Sequence, residues 1–381
     1  MEYISNIIWA DLDVNVKLST YKPDRGVKEH HAIIETTNQY NDSETQFKNI
    51  NNAVKRLYKQ DGLKNSVLVF KRYFVSDAVN QAAFWDYNNK EAVSFIQQAP
   101  LNGTKVSVWV YFVSEGEMII DEKGTHILVR PNFKHLYNTQ MHEILNDEYT
   151  QTETIFNCYT NALEHHTCNL KDNCIRTWIF VQGVDIHYKK MVEARIACFD
   201  KEGLTKNTHY IASTGIEGSY INPKSLVLID AYAIKGISAK QIKHLLAPTH
   251  LNPTHEYGVT FERATSVDYS DRRHIFISGT ASINNEGKIV HNNDVKKQIE
   301  RTIENIKALL NEAESGMDDV AQMIVYLRDT ADYQIAACYF EEYYPAIPKV
   351  IVWAPVCRPG WLVEVECIAI KRIENNDLKK F

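Results

Sequence analysis

One pattern, written three times along the chain, sets the tightest limit on its fold. In the last third, QIERTIENIKALLNEA (298–313) spaces Ile299, Ile303, Ile306 and Leu310 four, three and four residues apart, as one helical face requires. Before it stands HIFISGTASI (274–283), a β-rich run closed by the turn-forming Asn-Asn-Glu-Gly. After it come a buried strand, VAQMIVYLRD (320–329), a second helix, YQIAACYFEEYY (333–344), and a closing strand, VEVECIAI (363–370). The first third repeats this order. QFKNINNAVKRLYKQ (46–60) spaces Phe47, Ile50, Val54 and Leu57 three, four and three apart, and VLVFKRYFVSD (67–77), VNQAAFWDY (79–87) and APLNGTKVSVWVYFV (99–113) follow. Gln46 and Asp77 stand 252 residues before Gln298 and Asp329, so helix and strand keep one frame. The middle third offers QTETIFNCYTNALEHH (151–166) as helix, IRTWIFVQGVD (175–185) as strand and YKKMVEARIACFDKEG (188–203) as second helix. STGIEG (213–218) reads as a corner and KSLVLIDAYAI (224–234) as the last strand.

These are three divergent copies of one unit, over 1–118, 119–240 and 241–381. The period is too long for a solenoid, so each copy is expected to be a small α+β domain. With 381 residues, 44% of them hydrophobic, each has enough apolar surface for a core. A net charge of −6 offers no basic field for nucleic acid. Seven cysteines at 158, 168, 174, 198, 338, 357 and 367 follow no metal-finger spacing and point to a reducing, cytoplasmic setting. The opening MEYISNIIWADLD lacks the basic and apolar regions of a secretory leader, and no apolar run is long enough to span a bilayer.

Comparing the copies singles out one carboxylate. In APVCRPGWLVEVECIAI (354–370), strand alternation puts Glu364 and Glu366 on one face. Counting from the shared closing strand, Glu364 corresponds to Leu228 in the second copy, and counting from the shared glycine, to Ser107 in the first. A carboxylate that only one copy keeps is better explained by a site than by the fold. Glu366 has Trp109 and Asp230 as counterparts, so it reads as supporting or solvent-facing.

The third copy resembles the Rid (YjgF-like) superfamily through ISGTASI, the QIERTIENIKALL helix, VYLRD and VEVECIAI. Over its whole length the chain resembles the chorismatase family, in RTWIF (176–180), STGIEG (213–218), EYGVTFERA (256–264), SGTASI (278–283), YLRD (326–329) and VCRPGWLVEVE (356–366). The resemblance implies chorismate-mutase-like α+β units packed as a pseudo-trimer within a single monomeric chain, with sites in clefts between units. It implies hydrolysis of chorismate to pyruvate and either 3-hydroxybenzoate or a dihydroxycyclohexadiene carboxylate. The implied partner is a small molecule, with no metal, organic cofactor, nucleic acid or membrane. Rid deaminases place an arginine after the proline preceding the last strand, where IPKVIVW has Lys349 or Val350 instead.

That chemistry asks for a proton delivered to the enol carbon of an ether, and for cations to hold two carboxylates. A carboxyl serves as the acid when burial raises its pKa toward neutrality. Glu364, between Val363 and Val365 and near Trp361, has suitable neighbours, and the resemblance points to it also. Arginine forks match carboxylates. Arg176 and Arg263 are the leading candidates, Arg358 stands at the corner, and Arg328 has the weakest case. Tyr257, Ser213 and Thr214 are candidates to bind ring hydroxyls. By the resemblance to chorismatases, in which pocket residues of this kind divide enzymes by product, Cys357 at the corner with the small Gly279 implies a lean toward the 3-hydroxybenzoate type. EHHTCNLKDNC (164–174) fits no zinc frame, and His30 and His31 read as solvated. Rival readings are a Rid-type enamine or imine deaminase and a non-catalytic metabolite-binding protein of the same fold.

Overall fold

The computed structural model describes residues 1–59, 63–85 and 90–381. They form three six-stranded sheets, one for each copy of the repeat. The first contains β1 (Glu2–Trp9), β2 (Val14–Tyr21), β3 (Glu29–Thr36), β4 (Val67–Val75), β5 (Ala92–Gln97) and β6 (Val106–Val113), with helices α1 (Ser43–Leu57) and α2 (Ala78–Gln81). The second contains β7 (Glu117–Ile120), β8 (His126–Val129), β9 (Lys134–His142), β10 (Cys174–Val181), β11 (Ala212–Glu217) and β12 (Val227–Lys235). Its helices are α3 (Glu148–His165), α4 (Leu170–Asn173) and α5 (Val184–Lys201). The third contains β13 (Ile242–Leu245), β14 (Ala264–Asp268), β15 (Arg272–Ala281), β16 (Val320–Leu327), β17 (Lys349–Trp353) and β18 (Val363–Arg372), with α6 (Val295–Glu312) and α7 (Tyr333–Tyr343). Strand order is the same in all three: β1-β2-β3-β6-β4-β5, β7-β8-β9-β12-β10-β11 and β13-β14-β15-β18-β16-β17. In each, only the last pair is parallel. The expected boundary after 118 falls inside β7, which pairs within the second sheet.

The recurring glutamine has a structural cause. Gln46, Gln151 and Gln298 are fully buried near the start of the long helix, four residues after Asp42, Asp147 and Asp294, which cap it. The Gln298 amide donates to Gly360 O at 2.9 Å and accepts from Leu362 N–H at 2.9 Å, tying the helix to the corner before β18. Gln151 accepts from Leu226 N–H at 2.8 Å and Gln46 from Lys105 N–H at 2.8 Å, at the equivalent corners. Asp77 and Asp329 each cap the turn that follows their strand.

STGIEG is a strand, β11, and not a corner. It runs parallel to β10, as β5 does to β4 and β17 to β16. Gly215 argues against a strand, but pairing with β10 and contact with the next unit overrule local propensity, and Gly218 falls just beyond the strand's end. The stretch 79–87 is helical over Ala78–Phe84, and its residues 86 and 87 lie outside the described residues. His30 and His31 are buried, against expectation. His30 Nδ1 is 2.8 Å from Thr20 Oγ1, and His31 stacks on Tyr111 with centroids 4.6 Å apart.

The long helices cover the outer faces, and the inner faces meet in one aromatic core with Phe70, Trp109, Trp178, Tyr232 and Phe276. Backbone bridges close the ring: Gln97 to Ser219, Ile216 to Val356 and Val352 to Pro100 join first to second, second to third and third to first unit. No helix among the described residues is long and apolar enough to cross a membrane.

Candidate active site

Where β11 and α5 of the second unit face β15, β18 and the corner of the third, a cleft of about 530 Å³ opens. Glu364 lies in its wall, 5% exposed, paired along the sheet with Ala281 and Tyr326. Tyr326 and Phe180 hold one register position opposite Glu364 and Leu228, and Phe74 holds it opposite Ser107. The copies therefore align as counted from sequence. The β15–β18 ladder slips between Ile277 and Thr280, and Gly279 sits in that irregularity. A methyl group on Gly279 would collide with Glu364 Oε1, so only glycine leaves room for the carboxyl.

Burial, and then the charge of Glu366, push the Glu364 carboxyl up to about 8, against the pull of Arg176 and Arg263. At neutral pH it therefore keeps its proton. Glu29, also buried, behaves oppositely. It lines a pocket with His31, Trp109, Tyr137 and Trp178, and accepts from Arg272 at 2.6 Å and Tyr111 at 2.5 Å, with His274 Nε2 at 2.8 Å. Burial raises it, but the charges of His274 and Arg272 win and hold it well below the usual carboxylate range. Of these two buried carboxyls, the one in the inter-unit cleft has a proton to give.

The expected site residues divide into two layers. Arg263, Arg358, Ser213, Cys357 and Gly279 line the cleft with Glu364. Arg263 is braced by Asn252, its Nη2 lying 2.9 Å from the main-chain oxygen and 3.0 Å from Oδ1. The Arg358 guanidinium lies 5.1 Å over the Trp361 ring. Cys357 and Tyr188 are hydrogen bonded, and burial with the charge of Glu364 pushes the thiol up to about 12, so it stays neutral. Arg176 and Thr214 lie behind this wall. Arg176 Nη2 donates to Glu366 Oε2 at 2.8 Å, Trp178 Nε1 donates to Oε1 at 2.8 Å, and the Thr214 hydroxyl donates to Oε2. Thr214 Oγ1 also accepts from Gly279 N–H at 2.9 Å, joining this network to the floor under Glu364. Glu366 is 2% exposed, which removes the solvent-facing alternative and makes it a support. Arg328 turns away to Asp185 at 2.8 Å. Tyr257 lies in the turn Thr254–Tyr257, and its side chain is outside what is described.

Two residues that the sequence does not flag come from α5. Arg195 and Tyr188 line the cleft, and Arg195, 1% exposed, donates through Nε to Thr260 Oγ1 at 3.2 Å. The available signal is positional: Arg195 falls within the buried stripe of Met191, Val192, Cys198 and Phe199, where a charge is out of place. Lys349 is not in this cleft. At its register position on the edge strand the cleft has Ser213 of β11.

A family model described as "Endoribonuclease L-PSP" matches residues 263–371. A RutC family protein of Pyrococcus abyssi is 38% identical over 101 residues, 26% of this chain and 78% of that protein. The 3-aminoacrylate deaminase RutC of Acinetobacter baylyi is 31% identical over 99 residues, 25% of this chain and 77% of that protein. A solved chorismatase, 17% identical in sequence, superposes over 81% of this chain and 95% of its own, with a TM-score of 0.64. The chain thus belongs to the RutC family, within the Rid (YjgF-like) superfamily, and its three units together take the fold of a chorismatase.

Proposed function

We propose that the cleft between the second and third units hydrolyses the enol-pyruvyl ether of chorismate, with Glu364 as general acid. The observation that carries this is the buried carboxyl of Glu364, which burial pushes up to about 8, in a cleft that also presents Arg195, Arg263 and Arg358. Glu364 gives its proton to the enol methylene carbon. The electron pair of the C=C bond forms the new C–H bond, and an oxocarbenium ion remains. Burial that disfavours the carboxylate makes the proton available, and the charge left on Glu364 then faces the cation. Water adds to the cation, and the hemiketal separates into pyruvate and the ring diol; loss of the diol's other hydroxyl as water, with the hydrogen on the former ether carbon, then gives the aromatic 3-hydroxybenzoate. The arginines receive the two carboxylates of the substrate. The fold shared with a chorismatase supports the reading.

Cys357, neutral and in the wall, and Gly279 support 3-hydroxybenzoate over the dihydroxycyclohexadiene carboxylate. Mass spectrometry of the reaction mixture tests this, with 3-hydroxybenzoate the expected product beside pyruvate. A second reading, deamination of a small enamine or imine acid, is favoured by the likeness to the 3-aminoacrylate deaminase. Ammonia released from a panel of 2-imino acids, with chorismate left intact, would replace the first reading by the second.

A further inference from the structure

The faces that build the Glu364 cleft are used again one unit further round the ring. Lys349 on β17 holds the register position of Ser213 on β11, and Ile351 that of Gly215. Helix α7 contributes Tyr333 and Glu341, where α5 gives Tyr188 and Arg195 to the first cleft. From the first unit come Lys17 of β2, Asn102 of the corner, and Glu35 of β3, which pairs with Ser107 as Ala281 pairs with Glu364. About 460 Å³ of space lies between these residues, with no counterpart of Glu364 at Ser107.

What this second cleft has instead is a pair of amines. Lys349 is 6% exposed and donates to the main-chain oxygens of Tyr344 at 2.8 Å and Ile347 at 3.5 Å. Lys17 faces it from β2, and both amines share Glu341 Oε2, at 3.1 Å from Lys17 and 3.9 Å from Lys349. The two N–H bonds of a neutral Lys349 are satisfied by these two carbonyls. Burial and the charge of Lys17 bring the amine down to about 7, against Glu341 and Glu35. A lysine that only capped α7 would gain from full charge there, and a second, partly buried amine beside it would be a liability. A lysine desolvated next to another cation is the recurrent arrangement of an amine nucleophile.

We propose that Lys349 is a nucleophile that condenses with the ketone of a small 2-oxo acid admitted to this second cleft, while Lys17 holds the acid's carboxylate. The lone pair of Nζ attacks the carbonyl carbon and forms the C–N bond. The carbonyl oxygen takes up a proton from Glu35, whose carboxyl burial raises. A second proton, lost from nitrogen, lets the C–O bond break and water leave; the remaining N–H proton returns to Glu35. Ketone and amine become imine and water, with no change of oxidation state.

The full chain is incubated with pyruvate and cyanoborohydride, which reduces and traps the imine, and the adduct is located by peptide mass mapping. We expect one reduced adduct, on Lys349, forming at least tenfold faster than on the exposed Lys288 and Lys297 and accelerating as pH rises through about 7. It disappears in Lys349→Arg, and in Lys17→Met its onset moves to higher pH. No adduct, an adduct that survives Lys349→Arg, or labelling no faster than at the exposed lysines would overturn the proposal. The mapping uses the wild-type chain, so it decides even if a variant fails to fold. Glu364 belongs to the other cleft, so turnover of chorismate has no bearing on the result.

Discussion

Glu364 keeps its proton at a cost to stability that depends on pH. Its folded pKa of about 8 lies above the ordinary 4.5, so the folded state binds the extra proton between those values and loses stability as pH rises through them. At pH 7 the cost is roughly 3 kcal/mol, at about 1.4 kcal/mol per unit. Glu364→Gln should therefore unfold at higher urea than wild type at pH 8, and the gap should close toward pH 4. A variant less stable than wild type at pH 8 would contradict this. Glu366 sets the same pKa from behind. Glu366→Gln removes a negative neighbour and leaves Arg176 unpaired, both of which favour the Glu364 anion. The alkaline limb of the pH–rate profile should move to lower pH, with turnover at pH 5 far less affected. Gly279→Ala should keep its fold and lose about a hundredfold or more in turnover, because the methyl displaces the carboxyl. Glu364 is legible in the sequence because it stands alone among three aligned positions. Arg195 is not, because a single arginine among the lysines of YKKMVEARIACFDKEG reads as solvated until its burial is known.

The long helices and central strands are legible because period and composition agree over many residues, and the repeat shows them three times. The parallel edge strands are less so. β11 and β17 are short and carry Gly or Lys, and their β conformation comes from pairing with β10 and β16 and from bridges to the next unit. The buried glutamines are visible as a repeat, but their purpose is tertiary. Each joins its helix to the corner before the closing strand, so removing one leaves buried backbone groups unpaired, worth about 2–3 kcal/mol. Gln46→Ala and Gln298→Ala should lower the urea midpoint to a similar extent. Only Gln298→Ala should also slow catalysis, because Gly360 and Leu362 belong to the corner that carries Cys357 and Arg358. Equal effects on rate from both would show that the corner is held by something else.

At the scale of the molecule, closing three unlike copies into a ring makes unlike clefts from like faces. Glu364 comes from the third unit and Arg195 from the second, so the cleft exists only where the two meet. Arg195→Met should raise KM by tenfold or more, since Arg195 lines the cleft that receives the substrate's carboxylates. The shared aromatic core predicts one cooperative unfolding transition, seen alike by tryptophan fluorescence and calorimetry. The ring is legible from the repeat; which cleft carries which chemistry is not, because residues such as Lys17, Glu35 and Lys349 meet only when the third unit closes on the first. The most direct test of the account is the rate of pyruvate release from chorismate at pH 7, for wild type and Glu364→Gln side by side. Steady release by wild type and a loss of about a hundredfold or more in the variant is the predicted result. Release that is undiminished in the variant, or absent from wild type, contradicts it.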